Sequence, residues 1–355
     1  MKLPETMLAA RLHEAASEGR AAKVSVDEVP VPTPGPGEVL VAVDSCGICA
    51  SDVHVVQGIT PHGELPMTLG HEVAGTVAAV GEGVDGWLFG DRVAVAAGIP
   101  CGACEYCRVG RINLCSWLRI PGVNVDGGQA GFVAVDERIL VPVPASVPLE
   151  QAAILTDAVA TSYHALKRGG VGDDIVCAIF GLGGLGMHAV LLAKLAGATV
   201  IGVDVDPVNL ERAAAWGADH VVDASDGKPA RGVRELSEGG VDRSFEFVGA
   251  QQAADQAIKS LRRGGRATLV GVSSVERLET VPLGLFVAGE LEVVGSFGST
   301  HQDLNELMDL LESGRLDLSR SITHRWRVNQ FDEALHALET RAGHPIRMVV
   351  QHGQE

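Results

Sequence analysis

The sequence predicts an α/β protein in two parts, a β-rich first part followed by a doubly wound parallel sheet. Three observations carry this. Valines alternate with polar residues between closely set prolines early in the chain, as in short strands joined by turns. From about Ala158 the texture changes to strand, glycine turn, apolar helix and second strand, the repeating unit of a parallel sheet. Four of the seven cysteines fall in one fifteen-residue stretch, "CGACEYCRVGRINLC", which marks a separate small lobe. With 355 residues, 44 of them glycine and 4% aromatic, the chain has room for about two domains and reads as a turn-rich enzyme.

The elements follow in order. "KVSVDEVPVPTPGPGEVLVAVDSCGIC" alternates in the strand period and is broken at Pro30, Pro32, Pro34 and Pro36; "EVAGTVAAVGEGV" and "DRVAVAAG" repeat the pattern. "DIVCAIF" then reads as a buried strand, "GLGGLGMHAVLLAKLAGA" as a glycine turn and helix, and "TVIGVD" as the next strand. The alternation continues through "VDRSFEFVG", a helix over "QAADQAIKSLRRGG", and strands in "RATLVGV" and "LEVVGSFGS". Beyond about Gly298 a helix precedes "PIRMVVQ", a strand that returns to the first part.

A net charge of -17 and a pI near 5.1 argue against nucleic acid or an anionic membrane as partner, since both would be repelled. No stretch approaches the apolar length of a membrane span, and "MKLPETMLAARLHEAASEG" lacks the apolar run of a secretory leader. The expectation is a cytoplasmic protein, in which clustered cysteines mean metal rather than disulfides.

Cys101, Cys104, Cys107 and Cys115 follow C-x2-C-x2-C-x7-C, a spacing that lets one loop wrap four sulfurs around a tetrahedral ion. Four thiolates leave no open position, so the site is read as structural zinc, with an iron–sulfur cluster as competitor. Catalysis must lie elsewhere.

Gly181, Gly183 and Gly186 form G-x-G-x-x-G between strand and helix, with Gly184 and Leu185 inside the turn. Backbone N–H groups there can hold a pyrophosphate. Asp204 ends the next strand, eighteen residues after Gly186, where a carboxylate takes ribose hydroxyls and repels a 2′-phosphate; no Arg or Lys follows before Arg212. NAD is therefore preferred over NADP.

A third constellation is dispersed: Cys49 in "CGICASDVH", His71 and Glu72 in "LGHEVAG", and Asp157 in "ILTDAVATSYHAL". Singly these are uninformative; a lone cysteine is usually core, and an Asp before an apolar helix is usually its cap. Cys46 and Cys49 also form C-x-x-C, but without the context of a thioredoxin-like motif, and Cys46 and Cys177 read as packed thiols.

"GHE" at Gly70 to Glu72, "GICASD" at Gly47 to Asp52, the four-cysteine lobe and the dinucleotide turn occur in an order that resembles the zinc-dependent alcohol dehydrogenases of the medium-chain dehydrogenase/reductase superfamily, over nearly the whole chain. The resemblance implies a GroES-like catalytic domain from residues 1–158 and 298–355, a Rossmann domain over 159–297, and an active site in the cleft between them. It implies a catalytic zinc on Cys49, His71 and Asp157, with Glu72 near the metal and able to exchange with its water. The best-known members have a cysteine where this chain has Asp157; some bacterial secondary-alcohol dehydrogenases look similar here, and sorbitol and threonine dehydrogenases use a carboxylate at or near this place.

By the same resemblance, zinc polarises the substrate oxygen and hydride passes to the nicotinamide. Ser51 and His54 relay the proton, Asp52 supports a ligand, Thr161 faces the nicotinamide, Gly271 contacts the cofactor and Arg347 binds the pyrophosphate. His54 reads equally as a surface histidine. The implied substrate is a small alcohol and its ketone or aldehyde, with a secondary alcohol favoured; Trp117 and Leu118 line its cleft or merely pack. A short segment between Cys115 and Asp157 resembles the tetrameric branch, so a homotetramer is expected. The alternatives are a metal-independent quinone or enoyl reductase of the same fold and a non-catalytic binding protein.

Overall fold

The computed structural model describes residues 3–273, 277–278 and 282–352. The chain divides into two units, Met1–Ala160 with Ser299–Glu355, and Thr161–Gly298.

In the first unit the eleven-residue strand Glu38–Ile48 organises the main sheet. The order is Ile322–Arg327, Arg347–Gln351, Glu38–Ile48, Glu72–Val80, Arg92–Val95 and Leu140–Pro142, and Phe132–Asp136 also pairs with Glu38–Ile48. Valine-rich alternation explains why these segments are strands: branched side chains pack well on a pleated surface with one face covered. The strand Arg347–Gln351 is antiparallel to Glu38–Ile48, with Val349 opposite Gly47. On the other side Gly47 pairs with Glu72. These two registers place Arg347, Cys49, His71 and Glu72 at one end of the sheet. A second, three-stranded sheet, in the order Lys23–Pro30, Thr6–Glu14 and Met67–Thr68, supplies part of the core in which Leu12, Ile48, Met67, Leu69, Phe331 and Val350 are buried. Each such side chain contributes roughly 1.5–3 kcal/mol by leaving water.

The second unit is a six-stranded parallel sheet ordered His220–Asp223, Thr199–Asp204, Val176–Phe180, Val241–Glu246, Leu261–Leu269 and Glu292–Gly295. In chain order this is 3-2-1-4-5-6, and the strand order reverses beside Val176–Phe180, where ligands bind in sheets of this kind. One sequence expectation needs correction, and one strand was missed. The helix expected through "QAADQAIKSLRRGG" ends at Lys259, and the strand starts at Leu261. Pairing of Leu261 with Val241, with an irregularity before Arg266 meets Arg243, captures "LRRGG" for the sheet. The strand His220–Asp223 was not foreseen: it lies at the edge with two of its four residues polar, so it carries no buried-strand signal.

Candidate functional site

The sulfur of Cys49 is set by local backbone. Cys49 leaves the strand Glu38–Ile48 and caps the helix Ala50–Val56, where its Sγ accepts the Ser51 N–H at 3.2 Å. Asp52, fully buried, accepts the Cys49 N–H at 2.9 Å. His71 lies between the strands Met67–Thr68 and Glu72–Val80, its Nε2 3.1 Å from Cys49 Sγ. Asp52 Oδ1 lies 3.5 Å from Nδ1 on the other side of the ring. A carboxylate there favours a proton on Nδ1 and leaves Nε2 to face the sulfur.

Asp157 is not a helix cap. It lies in a π-helical turn, Leu155–Val159, inside an otherwise continuous helical run from Leu149 to Gly169. The wider turn adds a residue to the helical repeat and turns side chains that an α-helix would aim elsewhere, a feature found often at functional sites. Asp157 Oδ2 is 3.6 Å from His71 Nε2. Cys49, His71, Glu72 and Asp157 each offer a ligand atom, all within 4.8 Å of one another. Burial alone would hold His71 low, yet the Cys49 thiolate and the Asp52 and Asp157 carboxylates raise its pKa well above the ordinary histidine value. An anionic, almost dry pocket of this kind is matched by a dication. The 3.1 and 3.6 Å separations bracket the roughly 3.5 Å between neighbouring ligands of a tetrahedral zinc.

Glu72 and Arg347 complete the pocket. Both are buried, at 0% and 3% exposure, and the Arg347 guanidinium pairs with Glu72 Oε1. Arg347 Nη2 is also 3.9 Å from Asp157 Oδ2. Arg347, read from the sequence as a pyrophosphate ligand, therefore has a partner among the metal-site acids. The other Glu72 oxygen lies over Gly47, where a Cβ would be 1.8 Å away. Gln129, completely buried, donates to the Gly47 carbonyl at 3.0 Å from beneath. None of these supporting contacts was foreseen; the one available signal was the pairing of "GICASD" with "GHE" across two adjacent strands.

Ser51 is exposed and His54 half-buried on the same short helix; no hydrogen bond joins their side chains among the described residues. Cys46 is a buried free thiol, its Sγ 3.6 Å from the Gly47 carbonyl. Trp117 is 73% exposed, and Leu118 lies against Gly98.

In the lobe, Cys104 Sγ is 3.4 Å and Cys101 Sγ 3.9 Å from Cys107 Sγ. Four sulfurs around zinc at 2.3 Å stand about 3.8 Å apart. The Cys107 N–H draws Cys104 down to about 6, while burial and the neighbouring Cys104 push Cys107 up to about 12. Four thiols this close cannot all ionise alone, and a dication relieves that repulsion.

The dinucleotide turn belongs to the second unit. Gly181 directly follows the strand Val176–Phe180, and Gly183 caps the helix Gly184–Leu195. A Cβ on Gly186 would lie 1.8 Å from the Gly181 carbonyl, so helix and turn touch only because residue 186 is glycine, whereas nothing lies within 4 Å of a Cβ at Gly183. That leaves an open cradle at the helix N-terminus beside Leu185, which suits a pyrophosphate. Asp204 Oδ2 accepts the Leu182 N–H at 2.6 Å and Oδ1 the Asp206 N–H at 2.9 Å, so the carboxylate also ties the turn to the second strand. Ser162, next to the buried Thr161, donates to the Leu185 carbonyl. Gly271 lies where a Cβ would meet Gly249 N at 2.0 Å, a close approach of two chain segments at the carboxyl end of the sheet.

A dinucleotide fold and a Cys, His, Asp centre on a β-rich unit define a zinc-type dehydrogenase. Residues 35–145 match the alcohol dehydrogenase GroES-like domain, and residues 184–313 match the zinc-binding dehydrogenase domain. The chain is 33% identical to a sorbitol dehydrogenase of Halalkalibacterium halodurans over 92% of its length and 95% of the relative. It is 32% identical to an NAD-dependent alcohol dehydrogenase of Sulfurisphaera tokodaii, over 89% and 93%. The structure of an alcohol dehydrogenase from Thermus sp. ATN1 superposes with a TM-score of 0.89 at 30% identity, covering 97% of this chain and 99% of that one. The chain belongs to the zinc-dependent alcohol dehydrogenase family of the medium-chain dehydrogenase/reductase superfamily, oxidoreductases that act on CH–OH donors with zinc and a nicotinamide dinucleotide. No helix among the described residues is long and apolar enough to cross a membrane.

Proposed function

We propose that the protein interconverts a secondary alcohol and its ketone with NAD, and that it holds two zinc ions per chain. The observation that carries this reading is the convergence of Cys49, His71 and Asp157, backed by buried Asp52, on one point at the end of the sheet. When bound there, zinc supplies Lewis-acid polarisation of an alcohol oxygen, and the nicotinamide accepts the hydride. Asp52 keeps the His71 ring oriented and its Nε2 available. Arg347, the proposed pyrophosphate ligand, pairs with Glu72, which stands close enough to Cys49, His71 and Asp157 to exchange with water at the metal. Ser51 and His54 carry the proton outward, the hydroxyl passing it to an imidazole that can take it up on one ring nitrogen and release it from the other. The glycine turn, Thr161, Gly271 and Asp204 bind the dinucleotide, and the Asp204 carboxylate disfavours a 2′-phosphate. Cys101, Cys104, Cys107 and Cys115 hold the second, structural ion.

Relatives named for sorbitol and for simple alcohols leave both a small secondary alcohol and a polyol as substrates to test. A homotetramer is the assembly that the short segment between Cys115 and Asp157, by its resemblance to the tetrameric branch, favours, and the cytoplasm is the proposed location. The test combines elemental analysis with a panel of primary alcohols, secondary alcohols, polyols and ketones, each with both nicotinamides. Two zinc ions per chain, and turnover of secondary alcohols with NAD, are the expected results. A single ion per chain, turnover after complete zinc removal, or a preference for NADP would each overturn the corresponding part.

A further inference from the structure

A zinc ion held by four thiolates carries a net charge of about −2; backbone N–H groups of Cys101, Cys104 and Trp117 already donate to the sulfurs, and a nearby cation would offset the charge further. One guanidinium is delivered to this lobe by the catalytic sheet. At the end of the strand Phe132–Asp136, Asp136 Oδ1 accepts both the backbone N–H and the Nε of Arg138 at 2.9 Å, and Oδ2 accepts Nη2 at 2.6 Å. This two-pronged clamp fixes the plane of the guanidinium and leaves Nη1 without a hydrogen-bond partner among the described residues. Nη1 points to the cysteine loop: it lies 2.8 Å from where a Cβ on Gly102 would stand, directly after Cys101. Arg138 and Cys101 face the same cavity of about 480 Å³. Arg108 and Arg111, within the lobe, are exposed as Arg138 is, but among the described residues no carboxylate clamps either of them.

We infer that Arg138, clamped by Asp136 and admitted by the missing side chain of Gly102, is a positioning residue for the structural metal, donating from Nη1 to the thiolates of the lobe. The inference rests on reading the four-cysteine lobe as a zinc site. It assigns the Asp136–Arg138 pair a role beyond capping the turn Glu137–Ile139.

The test uses the full-length, zinc-loaded protein and variants Arg138→Gln, Arg138→Lys and Asp136→Asn. Zinc release to a chromogenic chelator is followed, with the sulfur-to-cobalt charge-transfer band of cobalt-exchanged protein as a second readout. Arg138→Gln should release the slow ion about tenfold faster, the low end for groups that support metal ligands. Its cobalt band should move to longer wavelength, because a thiolate that loses a donor gives up charge more readily. Arg138→Lys should restore part of the retention, and Asp136→Asn, which frees the guanidinium while still capping the turn, should fall between. Release and band position unchanged in Arg138→Gln would overturn the inference. Should Arg138→Gln fail to fold, unchanged release in both Arg138→Lys and Asp136→Asn overturns it equally. Failure of the underlying zinc reading looks different: the unaltered protein would then hold a single ion and show no four-thiolate cobalt spectrum.

Discussion

The Glu72 carboxylate occupies the space that a side chain at Gly47 would need. A Cβ on Gly47 would stand 1.8 Å from Glu72 Oε2, and the two residues face each other across neighbouring strands. With Oε1 on Arg347, the acid is held between a cation and a bare stretch of backbone, beside the three proposed metal ligands. A glycine in the sheet interior is ordinarily a weakness; here it makes room for a buried charge.

Gly47→Ala should therefore destabilise the first unit by about 1–3 kcal/mol through overpacking, and most of that loss should vanish in a chain that also carries Glu72→Ala. Urea unfolding of the two single variants and the double variant measures the coupling. An identical cost with and without Glu72 would show that the alanine clashes with something else.

Asp157→Asn keeps the shape of the side chain and removes its charge. Zinc content at the Cys49 and His71 centre should fall, and turnover should drop on the order of a hundredfold or more, while NAD affinity at the glycine turn is retained. Because Asp157 lies within a π-helical turn and not at a helix start, no capping loss is expected. Normal turnover with full zinc would move the third ligand to Glu72.

Asp204→Ala should narrow the preference for NAD over NADP. It should also lower the stability of the second unit by roughly 1–3 kcal/mol, because the Leu182 and Asp206 N–H groups lose their acceptor. Cofactor titration and thermal unfolding separate the two effects. A change in cofactor preference with no loss of stability would mean that the backbone bonds are readily replaced by water.

Acid should destabilise the second unit through His188. Its ring is fully buried, burial lowers its pKa to about 4, and Nδ1 is bonded to the Gly184 carbonyl at 2.5 Å. The unfolded chain takes up the proton near pH 6.5, whereas the folded chain resists it until about pH 4. The stability is thus fully present above about pH 6.5 and is lost as pH falls toward 4, by about 3 kcal/mol in all. Urea midpoints at pH 7 and pH 5 should diverge less in His188→Gln than in the unaltered protein; equal divergence would assign the effect to other groups, such as half-buried His352, whose pKa is lowered to about 3 by desolvation.

What the sequence determined by itself is local. The four cysteines and the glycine turn were legible because each is one short stretch whose spacing dictates its geometry, and the strand–helix alternation because burial repeats with a fixed period. The family resemblance named Cys49, His71 and Asp157. Their approach to within 4.8 Å of one another, however, depends on how one strand pairs with two others and on where a π-helical turn falls. No local pattern marks that turn, since the same residues read as ordinary helix. Arg347 shows the limit most plainly. It lies 275 positions from Glu72 in the chain, and only the antiparallel register of Arg347–Gln351 on Glu38–Ile48 brings its guanidinium to that carboxylate. Gly47 and Gly102 are similar, since a missing side chain has meaning only once its neighbour is known. Sequence spacing dictates chemistry within a turn or a loop; between distant segments, pairing register and close packing decide which charges meet, because buried charges are tolerated only where the fold supplies partners.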